Sequence, residues 1–418
     1  MSYAFVFAPP RLVNHVLHYS EFLDPNFFPG FLKAIVPPGH INVLVFFLLS
    51  GYVIEISNSG ARELTIATTG NYLKKRFVRL YPIYILVLCF TLLIAVSTYS
   101  TTTIAGNFLF LQHLVVPRIV EIDPSWSLNY EVIFYLAFIP LSLLRINPIW
   151  LAGMLFGAAM ISFVGGFRGS EAIASYSVGF MFWLSGLAIA RYLRQSHRTN
   201  YRAMISNLCL LLALPAMCDN SILYFGGRLA NSAYDFASSY RVAFGNLLLL
   251  PYCIMFIIQF SGRSFPYRRR IFACLQLLPL ISLYPLYLLI KEGHYSVLFS
   301  IGMYVISCLL FFVPVNFSEK FGMRIFRPAI WLGSISYAVY LLHFPLLVLF
   351  GRVNTFSGSI LTYGLRLVLF FSLLIGVSWL LEKRLQPLLR DKLMGSRGKA
   401  KLNKSNGAVA NTVNTVTQ

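Results

Sequence analysis

The sequence predicts an all-α integral membrane protein, a polytopic bundle of about 10–12 transmembrane helices with both termini in the cytoplasm. Hydrophobic residue types make up 57% of the 418 residues and charged types only 11%. The mean hydropathy is +0.70, and long apolar runs alternate with short basic loops. A soluble domain carries roughly a quarter charged residues to cover its surface, so we expect lipid to be the main solvent of this chain.

The individual spans follow from the length that a helix needs to cross the hydrocarbon layer, about 20 mostly apolar residues. Candidate runs are 41–58, 80–97, 127–144, 148–166, 174–190, 203–217, 242–260, 273–290, 296–314, 331–350 and 359–381. The first twenty-odd residues are a weaker candidate, because they are more polar and contain Pro9 and Pro10. Run 203–217 is short, which leaves the span count open within that range.

The Lys and Arg residues predict the orientation. Of the 34, one set of alternate loops together with the C-terminal tail contains 25, the other set of loops contains 7, and 2 lie within candidate spans. Because short cytoplasmic loops carry the basic excess, both termini are predicted to be cytoplasmic. The formal net charge of +20 then reflects topology and attraction to anionic lipid headgroups, so we expect no nucleic-acid partner.

The domain organisation is simple. We expect one transmembrane domain over 1–390 and a basic, polar and disordered cytoplasmic tail over 391–418. The start of the chain does not resemble a cleaved secretory signal, so we expect it to be retained. The six cysteines show no Cys-x-x-Cys spacing, and we interpret them as buried apolar thiols and expect no metal site.

Ionisable groups inside predicted spans are candidate functional residues, because they are costly in lipid. The candidates are His18, Glu55, Glu131, His343 and Arg366. The predicted topology places His18, Glu131 and His343 in the outer half of the membrane, which suggests one polar pocket for general acid–base chemistry. The sequence leaves open which groups pair. His343 equally fits a helix-to-helix hydrogen bond, and Glu55 and Arg366 fit structural roles better.

Two arginines on the predicted cytoplasmic side are candidates for ligand binding. Arg76 and Arg79 lie three positions apart in YLKKRFVRLYP and so share one helix face. Guanidinium pairs suit phosphate groups, although ordinary membrane-surface anchoring explains the spacing equally simply. Ser50 beside Gly51 forms a small-residue notch, which we include as a candidate donor contact although close helix packing also explains it.

Five motifs together resemble the acyltransferase type 3 family of integral membrane acyltransferases. They are FFLLSGY at 46–52, RFVRLYP at 76–82, WSLNYEVIFY at 126–135, GSISYAVYLLHFP at 333–345 and LEKRLQP at 381–387. They occur in the order that the family shows and span most of the chain. The resemblance implies transfer of an acyl group, expected to be acetyl, from cytoplasmic acyl-coenzyme A to a hydroxyl of a cell-envelope carbohydrate.

The resemblance also implies residue roles and a location. His18 corresponds to the first-helix histidine, Arg76 and Arg79 to the donor-binding pair, and Glu131 and His343 to the acidic residue and the late histidine. Trp126, Ser127 and Tyr135 provide the surrounding frame. The expected setting is the inner cell membrane, with a glycan acceptor and either a homo-oligomer or a polysaccharide-assembly complex as partner.

One position departs from the family pattern, and two rival functions remain open. Phe7 stands where the family has an arginine eleven positions before the histidine, so either upstream residues are missing or Arg11 substitutes. One rival is a proton-coupled secondary transporter of an envelope precursor, in which the buried His and Glu form a proton relay. The other is a catalytically impaired family member that scaffolds polysaccharide assembly.

Overall fold

The structure of the chain is a computed structural model, which describes residues 39–59, 64–95, 97–165, 169–195, 200–226, 241–313, 319–352 and 360–394. The described chain is almost entirely helical. Its helices are α1 (Gly39–Ser57), α2 (Ile66–Ile94), α3 (Thr101–Phe108), α4 (Trp126–Leu143), α5 (Pro148–Gly165), α6 (Ser170–Tyr192), α7 (Tyr201–Ser221), α8 (Arg241–Phe260), α9 (Arg268–Leu277), α10 (Leu283–Lys291), α11 (Leu298–Phe312), α12 (Glu319–Gly333), α13 (Ser336–Arg352), α14 (Ile360–Trp379) and α15 (Gln386–Met394). Two-residue strands, β1 (Arg194–Gln195) and β2 (Arg263–Ser264), pair antiparallel.

Many of these helices are long and apolar enough to cross a membrane. Within the described ranges seven qualify: Ile66–Ile94, Val120–Leu143, Ser170–Tyr192, Tyr201–Phe225, Val242–Phe260, Arg268–Lys291 and Leu365–Met394. Phe326–Gly333 and Ser336–Phe350 form a further pair bent by 76°, and Ile41–Ser57, Pro148–Val164 and Leu298–Phe312 are shorter apolar helices. The predicted all-α polytopic class is confirmed. The number of spans and the side of the termini stay predictions.

Helix α2 extends well beyond the apolar run that predicts it. The run covers 80–97, whereas the helix begins at Ile66 and continues for 29 residues. Its start is stabilised by the Thr68 hydroxyl, which accepts a hydrogen bond from the Thr65 amide at 2.8 Å. At 1.5 Å per residue this helix is about 43 Å long, which exceeds the roughly 30 Å hydrocarbon layer. Arg76 and Arg79 therefore lie within this helix, as their spacing predicts.

The described residues fall into two compact units. The first unit contains 39–59 and 140–322, and the second unit contains 64–139 and 323–394.

In the first unit, helices α1 and α6 cross at two glycines. A Cβ added to Gly51 would lie 2.0 Å from the Trp183 carbonyl oxygen, and one added to Gly186 would lie 1.9 Å from that of Leu48. Each glycine thus lets the other helix's backbone approach, as small residues commonly do between membrane helices. This contact confirms close packing as the reason for the small-residue notch at Gly51.

The second unit is held together by hydrogen bonds from tyrosine and glutamine side chains to backbone carbonyls. Tyr337 of α13 donates to the Leu80 carbonyl of α2 at 2.9 Å, and Gln386 of α15 donates to the Arg79 carbonyl at 2.9 Å. Between α14 and α15, residues Leu380–Leu385 form a wider π-helical turn. Such turns are rare inside helices and often occur at functional sites.

Candidate active site

A buried carboxylate lies at the centre of the second unit. Glu131 on α4 has no solvent-exposed surface, although an isolated charge is costly in such surroundings. The Tyr135 hydroxyl, one helical turn later, donates a hydrogen bond to Glu131 Oε1. Within the described part of the chain Glu131 Oε2 has no hydrogen-bond partner. One carboxylate oxygen is therefore fixed in place, and the other is available to a further donor.

Arg76 contacts two tyrosine rings next to this carboxylate. Its guanidinium carbon is 5.3 Å from the centroid of the Tyr72 ring and 5.3 Å from that of the Tyr135 ring. The Tyr72 hydroxyl also donates to the Tyr135 carbonyl at 3.2 Å, which joins α2 to α4. A guanidinium over a tyrosine face is attracted by the ring quadrupole, most strongly where water is excluded. Arg76 thereby connects to Glu131 through Tyr135.

Arg79, one turn further along α2, has different surroundings. The residue is exposed, and its guanidinium makes no side-chain hydrogen bond within the described ranges. The carboxylates of Glu131 and Glu382 are both near enough to interact with its charge. Arg79 is therefore an exposed residue close to two carboxylates, without a side-chain hydrogen bond from its guanidinium within the described ranges.

Glu382 is a member of this cluster that the sequence interpretation did not select. It lies on the π-helical turn Leu380–Leu385, and its Oε1 accepts a hydrogen bond from the Ala338 amide at 3.2 Å. That amide belongs to the first turn of α13. A carboxylate at a helix N-terminus satisfies an otherwise unpaired amide and interacts favourably with the helix dipole. The only signal in the sequence was the LEKRLQP motif, where Glu382 is followed by two cations.

The structure brings together groups that the sequence analysis separated by depth. The predicted topology puts Arg76 and Arg79 at the cytoplasmic surface and Glu131 in the outer half of the membrane. In the structure, Tyr135 contacts both the Arg76 guanidinium and the Glu131 carboxylate, so these groups form one cluster. The separation was expected because the apolar run begins at residue 80, which put the two arginines at the membrane surface, whereas α2 begins at Ile66. We call the group of Tyr72, Arg76, Arg79, Glu131, Tyr135 and Glu382 the arginine–carboxylate cluster.

A second group of contacts links the start of α4 to His343 on α13. The Ser127 Oγ and the Tyr340 hydroxyl are 2.9 Å apart, and Tyr340 donates to the Pro124 carbonyl at 2.8 Å. His343 Nδ1 is 2.6 Å from the Tyr340 carbonyl. A carbonyl can only accept, so Nδ1 carries a proton, and in the neutral imidazole Nε2 then carries the lone pair that a general base needs.

The candidate catalytic residues are not all brought together. Within the described residues no hydrogen bond joins His343 to Glu131. The link is indirect: His343 contacts Tyr340, and Tyr340 contacts Ser127, which lies one helical turn before Glu131. Trp126 packs edge-on against Tyr130 with ring centroids 5.7 Å apart. His18 lies outside the described residues, so its pairing with Glu131 stays a prediction.

The loop between α3 and α4 contains further charged groups, which are paired with each other. Tyr99 donates to Glu121, and burial, together with this contact, raises the pKa of Tyr99. Arg118 and Asp123 form an ion pair at 2.8 Å. Burial, together with the nearby Arg118 charge, lowers the pKa of His113 to about 4, so His113 is neutral at physiological pH. These partners indicate that the loop is a structural support for α4.

The other ionisable residues of the sequence analysis have structural partners. Glu55 forms a two-point ion pair with Arg191, at 2.7 and 2.9 Å, which fits the structural role expected for it. Arg366 donates to the Phe350 carbonyl at 2.6 Å. Ser50 lies on α1 in the first unit, so its proposed donor contact stays a prediction.

The structure also shows the pairing and the exposure of the six cysteines. All six are unpaired, but only Cys253 is buried, while Cys89 and Cys274 are exposed. The interpretation as buried thiols is therefore confirmed for Cys253 and wrong for Cys89 and Cys274, and the other three are partly exposed. Among the described residues no three His, Cys, Asp or Glu side chains are placed to hold a metal ion.

Fold and cluster together define a class: a polytopic helical membrane protein with a buried carboxylate supported by tyrosine and arginine. Residues 13–383 match the model of a family described as an acyltransferase domain. The chain belongs to this acyltransferase family, which confirms the resemblance drawn from the motifs.

Similarity to individual proteins is more limited. Acyltransferase MdmB of Streptomyces mycarofaciens is 32% identical over 135 residues, which cover 30% of this chain and 33% of that protein. The chain thus matches about a third of the length of this relative. No solved structure matches the chain.

Proposed function

We propose that this protein transfers an acyl group, expected to be acetyl, from acyl-coenzyme A on the cytoplasmic side to a hydroxyl of a cell-envelope carbohydrate. The observation that carries the proposal is the buried Glu131 carboxylate beside Arg76 and Arg79, within the segment that matches the acyltransferase family. The proposed location is the inner cell membrane.

The proposed reaction needs a base and a site for the donor. An imidazole removes the proton of the acceptor hydroxyl, and the resulting oxygen attacks the thioester carbonyl carbon. Collapse of the tetrahedral intermediate forms the ester and breaks the carbon–sulfur bond. The thiolate takes up the proton and leaves as coenzyme A. His18 is the first candidate for the base, and His343, whose Nε2 carries the lone pair, is the second.

Glu131 is proposed to orient the base. Tyr135 fixes its Oε1. Its Oε2 has no hydrogen-bond partner among the described residues, so it can accept an imidazole N–H. A carboxylate in that position selects the imidazole tautomer and stabilises the imidazolium that forms during the reaction. The cationic side of the cluster is proposed to receive the phosphate-bearing donor, because charge-assisted bonds to guanidinium groups are strong.

The test uses the full chain reconstituted in lipid nanodiscs. Purified protein is incubated with radiolabelled acetyl-coenzyme A and an extract of envelope glycans from cells that lack the protein. We expect label in the glycan fraction that mild alkali releases, since esters are alkali-labile and amides are not. Release of coenzyme A without glycan label would contradict the acceptor, and no turnover of acetyl-coenzyme A would contradict the enzyme.

Two further measurements separate the rival functions. Uptake of an envelope precursor into proteoliposomes with no coenzyme A present would support the secondary transporter. Comparison of envelope glycans by mass spectrometry, with and without the gene, is expected to show loss of one acyl substituent. Loss of the whole polysaccharide, without a change in acylation, would support the scaffold.

A further inference from the structure

The two arginines of the cluster are one helical turn apart but have different surroundings. We propose that they have separate roles: Arg79 binds the phosphate groups of the donor, and Arg76 is a positioning residue that holds Tyr135 and, through it, Glu131. This inference rests on the proposed function, because it assigns roles within the same site.

The Arg76 guanidinium already contacts two aromatic rings. Its central carbon is 5.3 Å from the centroids of both the Tyr72 and the Tyr135 ring, and the residue is only half-exposed. A phosphate that drew Arg76 away would give up both cation–π contacts and would release the ring that carries the Glu131 hydrogen bond. Arg76 is therefore better suited to fixing the orientation of Tyr135 than to binding a mobile ligand.

Arg79 has the properties that Arg76 lacks. It is exposed, and its guanidinium has no side-chain hydrogen bond within the described ranges, so its planar set of donors can meet a phosphate at two points. Its backbone is held in place, because its carbonyl accepts a hydrogen bond from Gln386 at 2.9 Å.

The charges around Arg79 leave the cluster as a whole cationic. The Glu131 carboxylate is close to Arg76 as well as to Arg79, and the Glu382 carboxylate is close to Lys383 as well as to Arg79. Three cations thus face two carboxylates. This excess of positive charge in the cluster favours an anion such as the coenzyme A phosphates.

The experiment separates donor binding from turnover. Binding of coenzyme A itself to the purified full chain is measured by isothermal titration calorimetry, and kcat and KM are measured with acetyl-coenzyme A. Arg79→Gln and Arg76→Gln are compared with Lys74→Gln, a matched loss of an exposed cation on α2.

We expect Arg79→Gln to weaken coenzyme A binding about tenfold or more, since a charge-assisted hydrogen bond is lost. We expect Arg76→Gln to change coenzyme A affinity by less than about threefold but to lower kcat about tenfold or more, since the carboxylate loses its fixed orientation. Lys74→Gln is expected to leave both quantities within about twofold.

A second measurement tests whether Arg76 acts through Tyr135. Tyr135→Phe keeps the ring that covers Arg76 but removes the hydroxyl bonded to Glu131. If Arg76 acts through that hydroxyl, the double variant Arg76→Gln/Tyr135→Phe has a kcat only slightly lower than that of either single variant. Independent, multiplying losses in kcat would overturn the positioning role.

The outcomes distinguish this inference from the proposed function. Equal loss of coenzyme A affinity in Arg76→Gln and Arg79→Gln, with active wild-type protein, overturns the division of roles and leaves the function in place. Wild-type protein that binds coenzyme A but transfers no acyl group contradicts the function, while the binding data still assign the arginines. Unchanged affinity in Arg79→Gln contradicts the donor contact.

Discussion

At the scale of single residues, the burial of Glu131 is the feature that most needs a functional reason. Replacing a buried polar group by a well-packed apolar one is often neutral or stabilising, so packing alone does not require a carboxylate there. Its one hydrogen bond within the described chain, from Tyr135, leaves its other oxygen without a partner. We infer that the second oxygen serves the reaction.

We expect Glu131→Gln to lower acyl transfer about 100-fold or more, because the amide keeps the shape of the side chain but cannot stabilise an imidazolium. Initial rates of transfer from acetyl-coenzyme A check this expectation. Size-exclusion profiles in detergent are expected to stay like those of the wild type.

The matched control is Glu171→Gln, which removes an exposed carboxylate on α6. It is expected to leave the rate within about twofold, since surface charges contribute little. A rate for Glu131→Gln equal to that of this control would remove Glu131 from the mechanism.

The sequence could identify some members of the cluster but not others. Glu131, Arg76 and Arg79 stand out because charges are rare inside apolar runs. Glu382 did not stand out, because a carboxylate next to Lys383 and Arg384 has the pattern of an ordinary membrane-surface segment. Its role depends on contacts with α2 and α13, which are distant in sequence, and only the fold brings those segments together.

At the scale of helices, apolar runs predicted the helices but not where they begin. Hydropathy measures the part of a helix that can lie in hydrocarbon, whereas the backbone continues as long as its hydrogen bonds are satisfied. Helix α2 therefore begins at Ile66, before the run 80–97, and the span that contains 203–217 extends over Tyr201–Phe225. The earlier start matters for the site, because it puts Arg76 within the helix and next to Tyr135.

The glycine crossing of α1 and α6 gives a prediction at this scale. We expect Gly186→Ala to destabilise the protein by about 1–3 kcal/mol, because its Cβ would lie 1.9 Å from the Leu48 carbonyl oxygen and backbone cannot move aside easily. The measurement is the midpoint of thermal unfolding in detergent, followed by a thiol-reactive dye or by loss of monodisperse protein.

Gly157→Ala on α5 is the control, since an added Cβ there meets nothing within 4 Å. Alanine favours helix formation over glycine, so this variant is expected to be neutral or slightly more stable. Equal midpoints for Gly186→Ala and Gly157→Ala would show that the two helices do not cross as closely as described.

At the scale of the whole molecule, the charge asymmetry predicts how the chain lies in the membrane. The basic loops alternate with loops that carry few cations, and this alternation holds along the whole predicted span order. Orientation depends on the chain and the membrane together, so it follows from the positive-inside rule and not from the packing of helices. The function needs this orientation, because the proposed donor is cytoplasmic.

Labelling of single cysteines in a cysteine-free background tests the orientation directly. Val115→Cys and Tyr267→Cys place thiols at positions that are 74% and 72% exposed. Five helices, α4 to α8, separate these positions, so an odd number of crossings puts them on opposite sides. In intact cells we expect a membrane-impermeant maleimide to label Val115→Cys, and to label Tyr267→Cys only after permeabilisation. The reverse pattern would put both termini outside and the arginine pair away from the coenzyme A pool. Labelling of both positions in intact cells would mean that one of the five helices does not cross the membrane.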